Sequence, residues 1–140
     1  MAELTVTHRY PFAAEKVFDA WLDPKIASRF LFTAPGGEIV RCDIDARPGG
    51  RFTIVDRRED MGGDVVHVGE YLEIDRPRRL VFTFAVPQFD AADTTVALTF
   101  AADGDSCVVT LHHTGVSEEW AKSTVEGWTM ILAGLDASLG

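Results

Sequence analysis

The stretch that most limits what this chain can fold into is its last. From Ser117 to Leu139 there is no proline, and Val125, Trp128, Leu132, Leu135 and Leu139 form one apolar line at helical spacing. Trp120, Thr124, Gly127, Ile131 and Gly134 form the adjacent line. Ser117 is placed to cap the helix, and Glu118 and Glu119 suit the positive end of its dipole. Such a helix spans roughly 34 Å at about 1.5 Å per residue. A stripe this long and wide must be buried against something equally broad. A chain of 140 residues holds one core, so the partner has to be a sheet.

The preceding sequence supplies that sheet. "ELTVTHRY" (3–10) alternates Leu4, Val6, His8 and Tyr10 on one face, the period of a strand. Six further strand-like runs are predicted over 38–45, 50–57, 64–74, 79–86, 94–101 and 106–114. Turn residues separate them, and such short connections make the sheet antiparallel. Between the first strand and the rest the period changes. Ala14, Val17, Phe18 and Trp21 make one helical stripe within 13–22. Asp23 and Pro24 then cap and open a second short helix to about Phe30, and 33–37 form a loop. The predicted order is β-α-α-β6-α. This is an α+β fold in which two short helices and one long C-terminal helix pack on a curved antiparallel sheet, as a single domain over 1–140.

The glycines of "DARPGG" (45–50) raise the question of a phosphate cradle. That device needs a helix after the glycines, whose N-terminus faces the anion. Here "RFTIVD" alternates as a strand, and no Gly-Lys-Ser/Thr is present. A turn accounts for the residues, with Pro48 fixing its own φ and Gly49 and Gly50 permitting positive φ. The net charge of −9 argues against nucleic acid, whose phosphates need clustered cations. Arg57-Arg58 and Arg76 to Arg79 lie beside turns and read as solvated rims. No apolar run reaches the ~18 residues of a membrane span, and no secretory leader is visible, which points to the cytoplasm. Cys42 and Cys107 then read as free thiols, and no Cys-x-x-Cys supports zinc or redox chemistry.

Five stretches, in order, carry a family resemblance: "PFAAEKVFDAWLDP" (11–24), "DARPGGRF" (45–52), "GEYLEIDRPRRLVFTF" (69–84), "VTLHHTG" (109–115) and "EGWTMILAGLDASL" (126–139). The chain resembles the START-like, helix-grip (SRPBCC) superfamily. The branch it is most similar to is the C-terminal domain of the activator of the ninety-kilodalton heat-shock protein ATPase. It departs from that branch after the second helix, where adjacent tryptophans are frequent and this chain has "RFLF", with Phe30 and Phe32. The resemblance implies the fold more firmly than an activity, because the superfamily includes carriers, cyclases, hydrolases and co-chaperone modules.

Alternation predicts which residues face the long helix. Val40, Cys42 and Ile44, Phe52 and Ile54, Leu80, Phe82 and Phe84 share the inward parity. So do Val96, Leu98, Phe100, Val109, Leu111 and His113, with Trp120, Thr124, Trp128 and Ile131 facing them from the helix. This space is either a filled core or a ligand cavity. Gly127 and Gly134, each costing about 1 kcal/mol against alanine, either admit close packing or leave room for a ligand. His112 and His113 point to opposite faces and cannot share a metal. His113, inward among apolar residues, reads first as a satisfied core histidine and second as a general acid or base. His67, Glu70 and Tyr71 lie on a strand with apolar residues at both parities, so its facing is left open. Asp43 and Asp45, interleaved with Arg41 and Arg47, read as a charge-balanced outer face rather than a cation site.

Three functions follow. The first is non-covalent binding of an apolar or amphipathic small molecule, with Phe30, Phe32, Phe52, Ile54, Phe82, Phe84, Leu98, Phe100, Leu111, His113, Trp120, Thr124 and Trp128 as wall, and Tyr71 a further polar contact. The second is a protein-interaction module. The third is a cyclase- or hydrolase-like enzyme using His113, disfavoured because no carboxylate partner is evident. No metal or cofactor is implied, and the chain is expected as a monomer or homodimer.

Overall fold

The computed structural model describes residues 2–32, 38–58, 63–87 and 90–139, with the side chains of 90–93 excepted. Strand β1 (Ala2–Tyr10) leads into helices α1 (Ala14–Ala20) and α2 (Pro24–Phe30). Six strands follow: β2 (Glu38–Ile44), β3 (Arg51–Arg58), β4 (Gly63–Asp75), β5 (Arg79–Val86), β6 (Asp90–Asp103) and β7 (Ser106–Val116). Helix α3 (Ala121–Leu139) closes the chain. The strands make one antiparallel sheet in the order β1-β7-β6-β5-β4-β3-β2, which is the predicted α+β, helix-grip arrangement. Strand β6 begins at Asp90 rather than at 94. The expected loop at 33–37 lies outside the described residues.

Local chemistry explains the elements. The Asp23 side chain accepts from the Lys25 amide at 3.0 Å and Pro24 opens α2, as the sequence predicts. The long helix begins later than expected. Ser117 makes no side-chain cap, and Glu118–Trp120 form a 3₁₀ turn before α3, which leaves 19 helical residues, roughly 28 Å.

Helix α3 lies along the inward face over one continuous core. Leu132 and Leu135 are fully buried, and the Tyr10 hydroxyl donates to the Leu132 carbonyl at 2.8 Å. Burial pushes the Tyr10 phenol far above its ordinary range, so it remains a donor at any physiological pH. Arg76 grips Asp19 with two hydrogen bonds, 2.7 and 2.9 Å, tying the β4–β5 turn to α1.

Two bulges change which side chains face inward. The β2–β3 register shifts between Ile39 and Arg41, which turns Val40 out to 40% exposure, against the alternation. Cys42 and Ile44 keep the inward parity at this sheet edge and are half-buried. A second shift between Tyr71 and Glu73 leaves Leu72 and Glu73 both outward and turns Ile74 in, so β4 changes parity along its length. Arg41 and Asp43 pair on the outer face, as do Arg47 and Asp45 at 2.9 Å, in keeping with charge balance there.

The "DARPGG" segment is a turn, pinned to β4 by the Gly49 amide donating to the Tyr71 carbonyl and the Tyr71 amide donating to Gly50. Its two glycines serve different ends. Gly49 takes φ +84°, whereas a Cβ on Gly50 would strike the Asp45 carbonyl, so Gly50 is there for space and not for positive φ.

Candidate functional site

Where α3 starts, it stands away from the sheet. Thr124, Gly127, Trp128 and Ile131, spaced for one helix face, meet His67 of β4 and Phe84 of β5 across an open groove of about 260 Å³. Phe32, just past α2, forms its floor, and Arg58, Val86 and Met130 complete the lining. A Cβ built on Gly127 would touch nothing within 4 Å, whereas one on Gly134 would meet Phe30 at 3.6 Å. The two glycines therefore divide the alternatives left open by the sequence. Gly134 lets α2 pack closely, and Gly127 faces free space.

The groove floor is aromatic. The Phe32 ring lies 4.6 Å from His67 and 4.9 Å from Phe84, nearly parallel to both, and meets Trp128 edge-on at 5.7 Å. The Phe32 backbone holds φ +58°, a left-handed conformation rare for a bulky residue. Gly69 keeps the neighbouring layer flat, since a Cβ there would collide with the Phe52 ring.

Behind this layer a directed hydrogen-bond chain crosses from helix to sheet. The Trp128 Nε1–H donates to His113 Nδ1 at 3.0 Å. Indole is a donor only, so Nδ1 carries the lone pair and Nε2 the proton. Nε2 donates to Thr94 Oγ1 at 2.6 Å, and Thr94 donates onward to the Phe84 carbonyl at 2.8 Å. His113 is 2% exposed, and burial lowers its pKa to about 4. Both ring nitrogens are engaged with the imidazole neutral, so this histidine offers neither a lone pair nor a proton to the groove.

His67 differs. Its Nδ1–H donates to the Ile54 carbonyl at 3.2 Å, which leaves the lone pair on Nε2. Burial, and secondarily the Arg58 charge, lower its pKa to about 4 against the opposing pull of the Ile54 hydrogen bond. It is a neutral groove wall at pH 7. Arg58 lies beside Asp56, Nε to Oδ2 3.9 Å, while Arg57 turns outward to Asp64. Arg58 is thus a wall residue and not the solvated rim that its place beside a turn suggests. No group of three or more His, Cys, Asp or Glu suited to a metal occurs among the described residues.

Of the residues expected to line a cavity, Phe32, Phe84, Thr124 and Trp128 line this groove. Phe52 and Phe82 border a second, much smaller void beneath it. Phe30, Ile54, Leu98, Phe100 and Leu111 are packed into the core. Trp120 is a correction. It is 41% exposed, because the 3₁₀ turn advances about 120° per residue instead of 100° and rotates its side chain out of phase with α3. Arg58 and Met130 were not expected. Arg58 continues the inward alternation of Ile54 and Asp56, a signal the sequence did hold.

Comparison with known proteins agrees with this architecture. The family model described as Activator of Hsp90 ATPase homolog 1-like protein matches residues 11–140. No curated protein matches the chain. Among solved structures, a protein from Chromobacterium violaceum superposes with a TM-score of 0.85 at 22% identity, covering 96% of this chain and 94% of its own. An AHSA1-like protein from Aeromonas hydrophila gives 0.84 at 20% identity, covering 99% and 92%. A Mycobacterium smegmatis protein gives 0.81 at 24% identity, covering 99% and 90%. At these identities the structures speak to the fold alone. The family match over nearly the whole chain, on a seven-stranded antiparallel sheet with a long C-terminal helix, establishes that the chain belongs to the AHSA1-like family of the START-like superfamily.

Proposed function

We propose that this protein binds an apolar or amphipathic small molecule, without covalent chemistry, in the groove between the first half of α3 and strands β4 and β5. The observation that carries this reading is the open space opposite Gly127. A glycine inside a helix costs stability, and here no neighbour accounts for it. Phe32, Phe84, Trp128 and Ile131 supply apolar wall, while Thr124, His67 and Arg58 supply the few polar groups that orient a ligand. His113 supports the floor with both ring nitrogens engaged, which counts against the enzyme reading that relied on it.

A docking role, which the family description suggests, draws less from the geometry. The exposed large hydrophobics among the described residues are Val40, Leu72, Trp120 and Met130, on four different elements, and a docking face needs them contiguous.

The test is native mass spectrometry of freshly purified protein beside the Gly127→Leu variant, with a naphthalene-sulfonate fluorophore as a second probe. The expected result is an adduct or probe signal in the natural sequence that Gly127→Leu abolishes without lowering the melting temperature. A bare mass together with no probe binding would sink the proposal.

A further inference from the structure

We propose that Phe32 is a gate, and that behind it Trp21 receives a hydrogen-bond acceptor carried on the buried end of the ligand. The inference rests on the groove being the ligand site and goes on to name the ligand's chemistry: an apolar body ending in a carbonyl or ether oxygen. Phe32 lines both the groove and the small void beneath it, so its ring is the partition between them. That void, about 10 Å³, is walled by Trp21, Leu31, Phe52, Tyr71, Leu80 and Phe82, and has room for no more than about one water.

Trp21 is 2% exposed, and its Nε1–H meets no acceptor. Buried donors are almost always paired, and an unpaired one is costly. Indole cannot accept, so whatever satisfies Trp21 has to present a lone pair. The partition is held in a conformation that L residues rarely adopt, φ +58°, and is kept there by stacking on His67 and Phe84. A flat or apolar ligand that takes over those stacking faces releases the ring, and its swing joins the groove to the space at Trp21.

The experiment titrates ¹⁵N-labelled protein with a matched pair of probes, acetonaphthone and ethylnaphthalene. They share one ring system and differ in a carbonyl. The chain has three tryptophans, and Trp21→Phe identifies the Trp21 indole resonance. Acetonaphthone is expected to bind about fivefold tighter, the worth of one neutral hydrogen bond. It should also move the Trp21 indole proton downfield, beyond the ring-current shift that ethylnaphthalene produces. Trp21→Phe should erase the preference, and Phe32→Ala should tighten both probes. If the Gly127 amide and Trp128 indole shift while the Trp21 indole responds equally to both probes, the ligand stops at Phe32. The gate then fails and the groove stands. If neither probe moves any of these resonances, both readings fail.

Discussion

The two halves of α3 do opposite things with the same kind of residue. Toward the C-terminus the helix is pressed onto its neighbours. Leu132 and Leu135 are fully buried, the Leu132 carbonyl takes the Tyr10 hydroxyl, Gly134 admits Phe30, and Asp136 meets His8 at 3.0 Å. Toward the N-terminus the helix stands off, with Gly127 facing empty space and Met130 half exposed. Trp128 is the hinge of the contrast, buried itself and hydrogen-bonded to His113. One helix therefore anchors at one end and roofs a groove at the other. Stability and binding are separated along its length, and substitutions should sort accordingly.

The largest effect belongs to the anchored half. Leu135→Ala should cost about 3–4 kcal/mol, measured by urea unfolding, through lost burial and the cavity left behind. A loss below about 1 kcal/mol would mean that the anchored half is not filled.

The pH dependence tests the junction. His113 has a pKa of about 4 when folded against about 6.5 when unfolded, so the unfolded chain binds more protons between those values. Its contribution, about 3 kcal/mol, is fully present above pH 6.5 and is lost as the pH falls toward 4. His67, also held near 4 by burial, titrates in the same window, so His113→Gln should remove about half of that slope, and an unchanged slope would place the titration elsewhere.

Gly134→Leu should cost about 2 kcal/mol by forcing α2 and α3 apart, as overpacked interiors do. Gly127→Ala is the smallest effect and has the opposite sign. It should gain about 1 kcal/mol in helix propensity, since the added methyl meets nothing. Equal responses at the two glycines would erase the distinction between the halves.

The anchored half was legible in the sequence and the groove only in part, through Phe32, Phe84, Thr124 and Trp128 but not Arg58 or Met130. Leu132, Leu135 and Trp128 announce themselves by spacing, because burial on a helix imposes a period. His113 was placed correctly by the parity of Val109 and Leu111, since β7 runs in continuous register from Cys107 to Thr114 against β6. His67 could not be oriented, because the bulge at Leu72 shifts the phase within its strand, and a bulge is set by pairing partners. Val40 was misplaced for the same reason, and Trp120 by a 3₁₀ turn. Gly127 and Gly134 look alike in the sequence. What distinguishes them is Phe30, brought there by a different helix.

The strand order bears on how the molecule forms. Strands β2 to β7 follow one another as neighbours, so each can pair as soon as the next is made. Strand β1 has no such option. Its Thr5 hydroxyl meets His112, 107 residues further along, and its pairing with β7 runs from Ala2 to Tyr10. Closing so long a loop is entropically expensive before any contact offsets it, and topologies rich in distant pairings fold slowly. On a ribosome the strand of this domain that is made first is thus the last to find its place, waiting unpaired until nearly the whole domain has left the tunnel.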